Sequence, residues 1–232
     1  MNFLQPTGEE IINMLHLKDH DVVLDVATGT GEPGLTIASR YPKNKVIGTD
    51  LSEDMLAVAQ ENAMLRGIPN FYTECSDISQ LPFEDETFDA ISCRFGFMFF
   101  PDIQMALSEM IRVLKPTGRI AASVWNHPEK NLWIATSMQT MMNKLQINPP
   151  PPGAPGIFRC ADPDYMSNQF IQSGLQHVEQ REVSGILECG NIDNYWGFMS
   201  EVACPAAFKD ATQEMKDMIK AAILAKISAR YT

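Results

Sequence analysis

The residues best suited to chemistry gather in the first half of the chain. Residues 22–34, VVLDVATGTGEPG, run apolar, break into glycines, and resume as the amphipathic LTIASRY. That order is the signature of a strand, a tight turn and a helix N-terminus. Gly29 and Gly31 fall where backbone must turn sharply and approach a ligand closely. The answering segment at 46–56, VIGTDLSEDML, carries a second strand that ends in Asp50, 19 residues after Gly31. An acidic residue about that far on, at the tip of the neighbouring strand, suits the hydroxyl pair of a ribose. A carboxylate accepts two parallel, charge-assisted hydrogen bonds from a cis-diol. Asp25 stands four residues before Gly29, where a negative charge suits a ligand's cationic end and repels a pyrophosphate. The ligand implied carries a ribose and a positive charge but no phosphate.

Further along, Asp77 follows a third short strand, Arg94 and Phe95 follow a fourth, and His127 lies two residues past a fifth. All these positions fall at the carboxyl edge of the strands, where open α/β sheets place their sites. A neutral imidazole working near its own pKa can take a proton from a hydroxyl or an activated carbon, which makes His127 the candidate base. Phe95, Phe97, Met98, Phe99, Phe100 and Trp125 form an apolar cluster at the same edge. Part of it is core. The remainder, with Met138, Met141, Met142, Trp196 and Phe198, suits the wall of an apolar pocket.

The elements that position these residues alternate regularly. Thr7 and Glu10 read as a capping box opening a helix over 9–17. Ser52 caps a helix that stops at Gly67, with Glu53 and Asp54 at the positive end of its dipole. A helix over about 103–114 leads through the turn KPTG into strand five at 119–125. Strands and helices at this rhythm mean βαβ units and a parallel sheet covered on both faces. The pattern therefore predicts an α/β, doubly wound, Rossmann-like fold with a mostly parallel sheet of six to seven strands. Residues 1–126 form the core, and 127–174 a helical, proline-rich cap that contains NPPPPGAPG. Residues 175–232 complete both, with a sixth strand over 177–187 and helices over 192–199 and 207–229.

Composition narrows the partners. With 232 residues there is room for one sizeable core. A net charge of −11 argues against nucleic acid and against an anionic membrane surface. Five separated cysteines contain no CxxC pair and no zinc-site spacing, so reduced buried thiols and no metal are expected. Without a leader-like start or an apolar run near ~18 residues, the expectation is a cytoplasmic protein, monomeric or homodimeric.

DVATGTGEPG, the Asp50 strand, SDISQLPFEDETFDAISCRFG and LKPTGRIAASVW together resemble the class I S-adenosylmethionine-dependent methyltransferases. The nearest likeness is the small-molecule branch that includes the ubiquinone and menaquinone C-methyltransferases. The resemblance covers about residues 20–126 and implies S-adenosyl-L-methionine as cofactor, a small apolar or aromatic methyl acceptor, and in-line methyl transfer. It also implies that Asp25, Ala27, Thr28, Gly29 and Gly31 wrap the methionine half of the cofactor. Asp50 would hold the ribose hydroxyls, with Leu51 and Met55 flanking the adenine. Asp77 would accept from the exocyclic amine and the Ile78 amide would donate to the ring. Arg94 and Phe95 would line the floor beneath the methyl group. Two other readings stay open: a nicotinamide-dependent oxidoreductase, for which Asp25 has no role, and a non-catalytic nucleoside-cofactor-binding protein on the same fold.

Overall fold

The computed structural model describes residues 3–151, 153–188, 191–203, 208 and 211–231. Five strands form one sheet: β1 (Val22–Val26), β2 (Lys45–Asp50), β3 (Phe71–Cys75), β4 (Phe88–Arg94) and β5 (Leu114–Ser123). Their order is β3-β2-β1-β4-β5 and every pairing is parallel. The order reverses between β1 and β4, so the carboxyl ends of β2, β1 and β4 open the crevice in which doubly wound sheets bind ligands.

Helices cover both faces, which is why β1 and β4 read as near-continuous apolar runs. On one face Val23, Val46, Ala90 and Ala121 pack with Ile11, Ile12 and Leu15 of α1 (Gln5–Leu15), Leu35 and Ile37 of α2 (Gly34–Arg40), and Ala59 and Ala63 of α3 (Glu53–Leu65). On the other, Leu24, Val26, Ile91 and Cys93 pack with Ile103, Leu107 and Met110 of α4 (Ile103–Val113). The Ser52 hydroxyl caps α3 by accepting from the Met55 amide at 3.3 Å, and the Asp102 carboxylate caps α4 in the same way from Met105 at 3.0 Å.

Several expectations change. The Thr7–Glu10 pair caps nothing, because α1 already starts at Gln5, with a proline whose fixed φ suits the first turn. KPTG does not separate α4 from β5. Leu114 pairs with Phe88 and Arg119 with Ala90, so residues 115–118 bulge out within the strand. The strand expected over 177–187 is not formed, and the described residues contain five strands rather than six or seven. Period-two alternation describes a pleat, but a strand needs a ladder. This segment has none, and its Ile186 is 80% exposed. Cys93 and Cys160 are buried as expected, Cys75 is exposed at the tip of an edge strand, and Cys189 and Cys204 lie outside the described residues.

The chain divides into two compact units. The first, Leu4–Trp125 with Pro155–Gly185, holds the whole sheet. Its returning segment is pinned where the Gly156 amide donates to the Met98 carbonyl at 2.9 Å and the Arg159 guanidinium to the carbonyl of Phe100. From there α6 (Pro163–Gln172) buries Met166 in the α4 face. The second unit, Met1–Phe3, Asn126–Ala154 and Ile186–Thr232, is helical among its described residues. In it α5 (Leu132–Leu145) packs against α8 (Gln213–Tyr231), and Ser137 shares a 2.6 Å hydrogen bond with the Tyr195 hydroxyl of α7 (Ile192–Gly197). Met141, expected to wall a pocket, is core here at 3% exposed. The start of α8 expected near 207 falls partly outside the described residues.

Candidate functional site

The turn after β1 is built around Asp25. Its carboxylate is fully buried and accepts from the Thr28 hydroxyl at 2.6 Å, the Gly34 amide at 3.0 Å and the Ser92 hydroxyl at 2.7 Å. Burial nonetheless holds its pKa above the usual carboxylate value, against the pull of these donors and of Arg94. With three protein donors and no exposed surface, the side chain ties β1, the turn, α2 and β4 together. Any contact with a ligand passes through its main chain. Gly34 is required by this arrangement, since a Cβ there would lie 2.9 Å from the Asp25 Oδ2 and 2.8 Å from the Phe71 ring.

Beyond Asp25 the chain curls through Ala27 (φ 53) and Gly29 (φ 56), both left-handed. Thr28 is buried, and its amide donates to the Thr49 carbonyl at 3.0 Å, which stitches the turn to the end of β2. At Gly29 nothing lies within 4 Å of where a Cβ would stand. The glycine therefore leaves open space over a backbone that a ligand can approach, and its φ is one that other residues seldom adopt. Gly31 closes the turn, its amide donating to the Thr28 carbonyl at 2.9 Å.

Asp50 stands opposite. The Gly29 amide donates to its Oδ2 at 2.9 Å and the Ser52 amide to its Oδ1 at 3.0 Å. Each oxygen keeps a lone pair after one backbone bond, so two acceptors remain, fixed in orientation and partly open to solvent. Beside it Leu51 and Met55 expose 68% and 47% of their surface, an apolar patch suited to the face of a base. Asp77 is exposed, and its Oδ1 accepts from the Ser79 amide at 2.8 Å, which holds its pKa below the usual value. Ile78 is buried.

At the tip of β4, Arg94 is partly buried and donates no hydrogen bond among the described residues. Burial lowers its pKa, and Asp25 and Glu32 oppose that through their charge. Phe95 is left-handed (φ 60), an uncommon backbone for an aromatic residue. It is held there by an amide bond to the Ser123 carbonyl at 3.0 Å and by stacking on Trp125, with centroids 4.3 Å apart at 15°. The crevice thus gathers Ala27, Thr28, Gly29, Gly31, Asp50, Leu51 and Met55, with Arg94 and Phe95 at the next tip. His127 belongs to the other compact unit, is exposed, and donates its amide to the Asn126 Oδ1 at 2.7 Å.

Residues 23–118 match the model of a methyltransferase domain. Over this segment the chain is similar to methyltransferase domains. The chain is 42% identical over 108 residues to a demethylmenaquinone methyltransferase of Thermus thermophilus, covering 47% of this chain and 49% of that one. It is 37% identical over 164 residues to a demethylmenaquinone methyltransferase of Bacteroides fragilis, covering 69% and 62%. The chain spans about half the length of the first curated relatives it matches. Among solved structures, a SAM-dependent methyltransferase from Aquifex aeolicus superposes with a TM-score of 0.61 at 23% identity, covering 79% of this chain and 87% of that one; at this identity the likeness is one of fold.

The family resemblance carried by the four motifs therefore holds for this segment, and the nicotinamide and non-catalytic readings gain no support from these similarities. Within the matched segment, two features escaped the sequence. Ser92 gives no pattern of its own, yet it supplies a third donor to Asp25. The left-handed Phe95 also carries no signal, because backbone conformation at a non-glycine residue depends on the packing around it.

Proposed function

We propose that this protein is an S-adenosylmethionine-dependent methyltransferase acting on a small apolar or aromatic acceptor. The observation that carries the reading is Asp50, whose two oxygens each retain an acceptor site beside the open Gly29 backbone, within a segment that matches the model of a methyltransferase domain. The residues present fit the cofactor. Asp50 would take the ribose hydroxyls, Leu51 and Met55 the adenine faces, Asp77 and Ile78 its edge, and the 25–31 turn the amino-acid half. When bound, S-adenosylmethionine supplies a sulfonium-activated methyl group. The chain's own part is to bind and orient the reactants and exclude water, which is enough for a displacement whose leaving group is already activated.

Because the named relatives are demethylmenaquinone methyltransferases, a reduced naphthoquinone is the first acceptor to try. The acidic net charge favours small molecules over nucleic acid, and we read the protein as cytoplasmic, a monomer or a homodimer. No described helix is long and apolar enough to cross a membrane. Calorimetric titration with S-adenosylmethionine, S-adenosylhomocysteine and NADH tests the cofactor. Micromolar binding of the two sulfur ligands, abolished in Asp50→Ala, is expected. Binding of NADH alone would overturn the reading.

A further inference from the structure

Arg94 is a cation with no hydrogen-bond partner among the described residues. A guanidinium carries five N–H donors, and a partly buried one is ordinarily hydrogen-bonded. The two acids whose charge reaches it are both committed elsewhere. Asp25 is used by Thr28, Gly34 and Ser92. Glu32 accepts from the Thr36 hydroxyl at 2.6 Å and pairs with Arg66 at 2.5 Å. They hold Arg94 by field, not by contact.

The Arg94 Nη1 lies 4.0 Å from where a Cβ on Gly8 of α1 would stand, and both neighbouring acids sit on the β1 side. That places the guanidinium beneath α1 and toward the glycine turn, not toward the β5 edge. From the β2 tip, where Asp50 stands, to the β4 tip is two strand spacings, about 10 Å. A nucleoside whose ribose rested on Asp50 and whose amino-acid arm ran along the turn would reach the β4 tip, where Arg94 stands.

We infer, resting on the cofactor reading above, that Arg94 reads the carboxylate of the ligand's amino-acid arm and so selects nucleosides that carry an amino acid. It is a specificity-determining residue for the site. Charge-assisted guanidinium–carboxylate bonds are among the stronger polar contacts a site can make.

Three probes isolate the carboxylate: S-adenosylhomocysteine, its decarboxylated analogue that keeps the amine, and methylthioadenosine, which lacks the arm. By calorimetry the wild-type chain should prefer S-adenosylhomocysteine to the decarboxylated analogue by about 10- to 100-fold. Arg94→Gln should erase that preference while binding of methylthioadenosine stays within about twofold, which also shows that the variant is folded. Arg94→Lys should keep part of it. Equal weakening of all three ligands in Arg94→Gln, or an undiminished preference, would overturn the assignment while leaving the cofactor reading standing. A wild-type chain that binds none of the three would overturn both.

Discussion

At the scale of single residues, the two aspartates that flank the glycine turn divide the work. Asp25 is structural: fully buried, with each of its three donors inside the protein. Replacing it by alanine strands the Thr28 and Ser92 hydroxyls and the Gly34 amide without a partner, and should cost about 3–5 kcal/mol in urea unfolding. Asp25→Asn keeps the shape and one acceptor and should cost about 1–3 kcal/mol. Asp50 is the opposite case, partly exposed and only half used by the fold. Asp50→Ala should weaken S-adenosylhomocysteine by about 100-fold or more, the loss of two charged hydrogen bonds, with a much smaller change in unfolding free energy. A variant that lost stability and kept affinity would reverse these roles.

At the scale of elements, the site is where strand ends meet helix starts, and the backbone there is under constraint. Phe95 is left-handed at the end of β4, a conformation that costs a non-glycine residue about 1–3 kcal/mol unless packing compensates. Stacking on Trp125 is that compensation. Removing the ring should therefore separate the two effects. Phe95→Gly, which loses the stack but also the strain, should be more stable than Phe95→Ala by about 1 kcal/mol in thermal unfolding. If alanine proves equal or better, the strain is not real. The start of α2 is constrained by volume. Gly34→Ala drives a methyl into Asp25 and Phe71, and should destabilise by about 1–3 kcal/mol, as overpacked cores do.

At the scale of the whole molecule, the pH response follows from carboxylates that the fold holds ionised. In Asp89, burial pushes the pKa up, but the Lys115 ammonium at 2.7 Å and the Val22 amide at 2.9 Å outweigh it and leave it lowered. Arg112 lowers Glu109 and Arg40 lowers Glu9. Each has a folded pKa below its unfolded value, so between the two the unfolded chain binds more protons. Their contribution is complete above the unfolded carboxylate range, about pH 4, and is lost as pH falls through the folded values. Asp25 runs the other way: its raised pKa makes its contribution fall as pH rises through the folded value. The denaturation midpoint should be level near neutrality and decline below about pH 4, and Asp89→Asn should shallow that decline. An unchanged slope in the variant would remove Asp89 from the account.

The sequence by itself determined the alternation of strands and helices, the parallel class of the sheet, the glycine turn and Asp50 at the tip of the neighbouring strand. These are local matters: periodicity, caps and turn residues act over a few positions, and Asp50 sits at a fixed count from the turn. Only the tertiary structure decided what depends on residues distant in the chain. It turned Asp25 inward, because Ser92 lies 67 residues away and meets it only through the β1–β4 register. It left 177–187 without a ladder, because alternation specifies a pleat but not a neighbour. It folded KPTG into a bulged strand, because Leu114 found a partner on β4 before the turn. It also placed Arg94 under α1 with its nearby acids already occupied, a vacancy that composition and spacing cannot express.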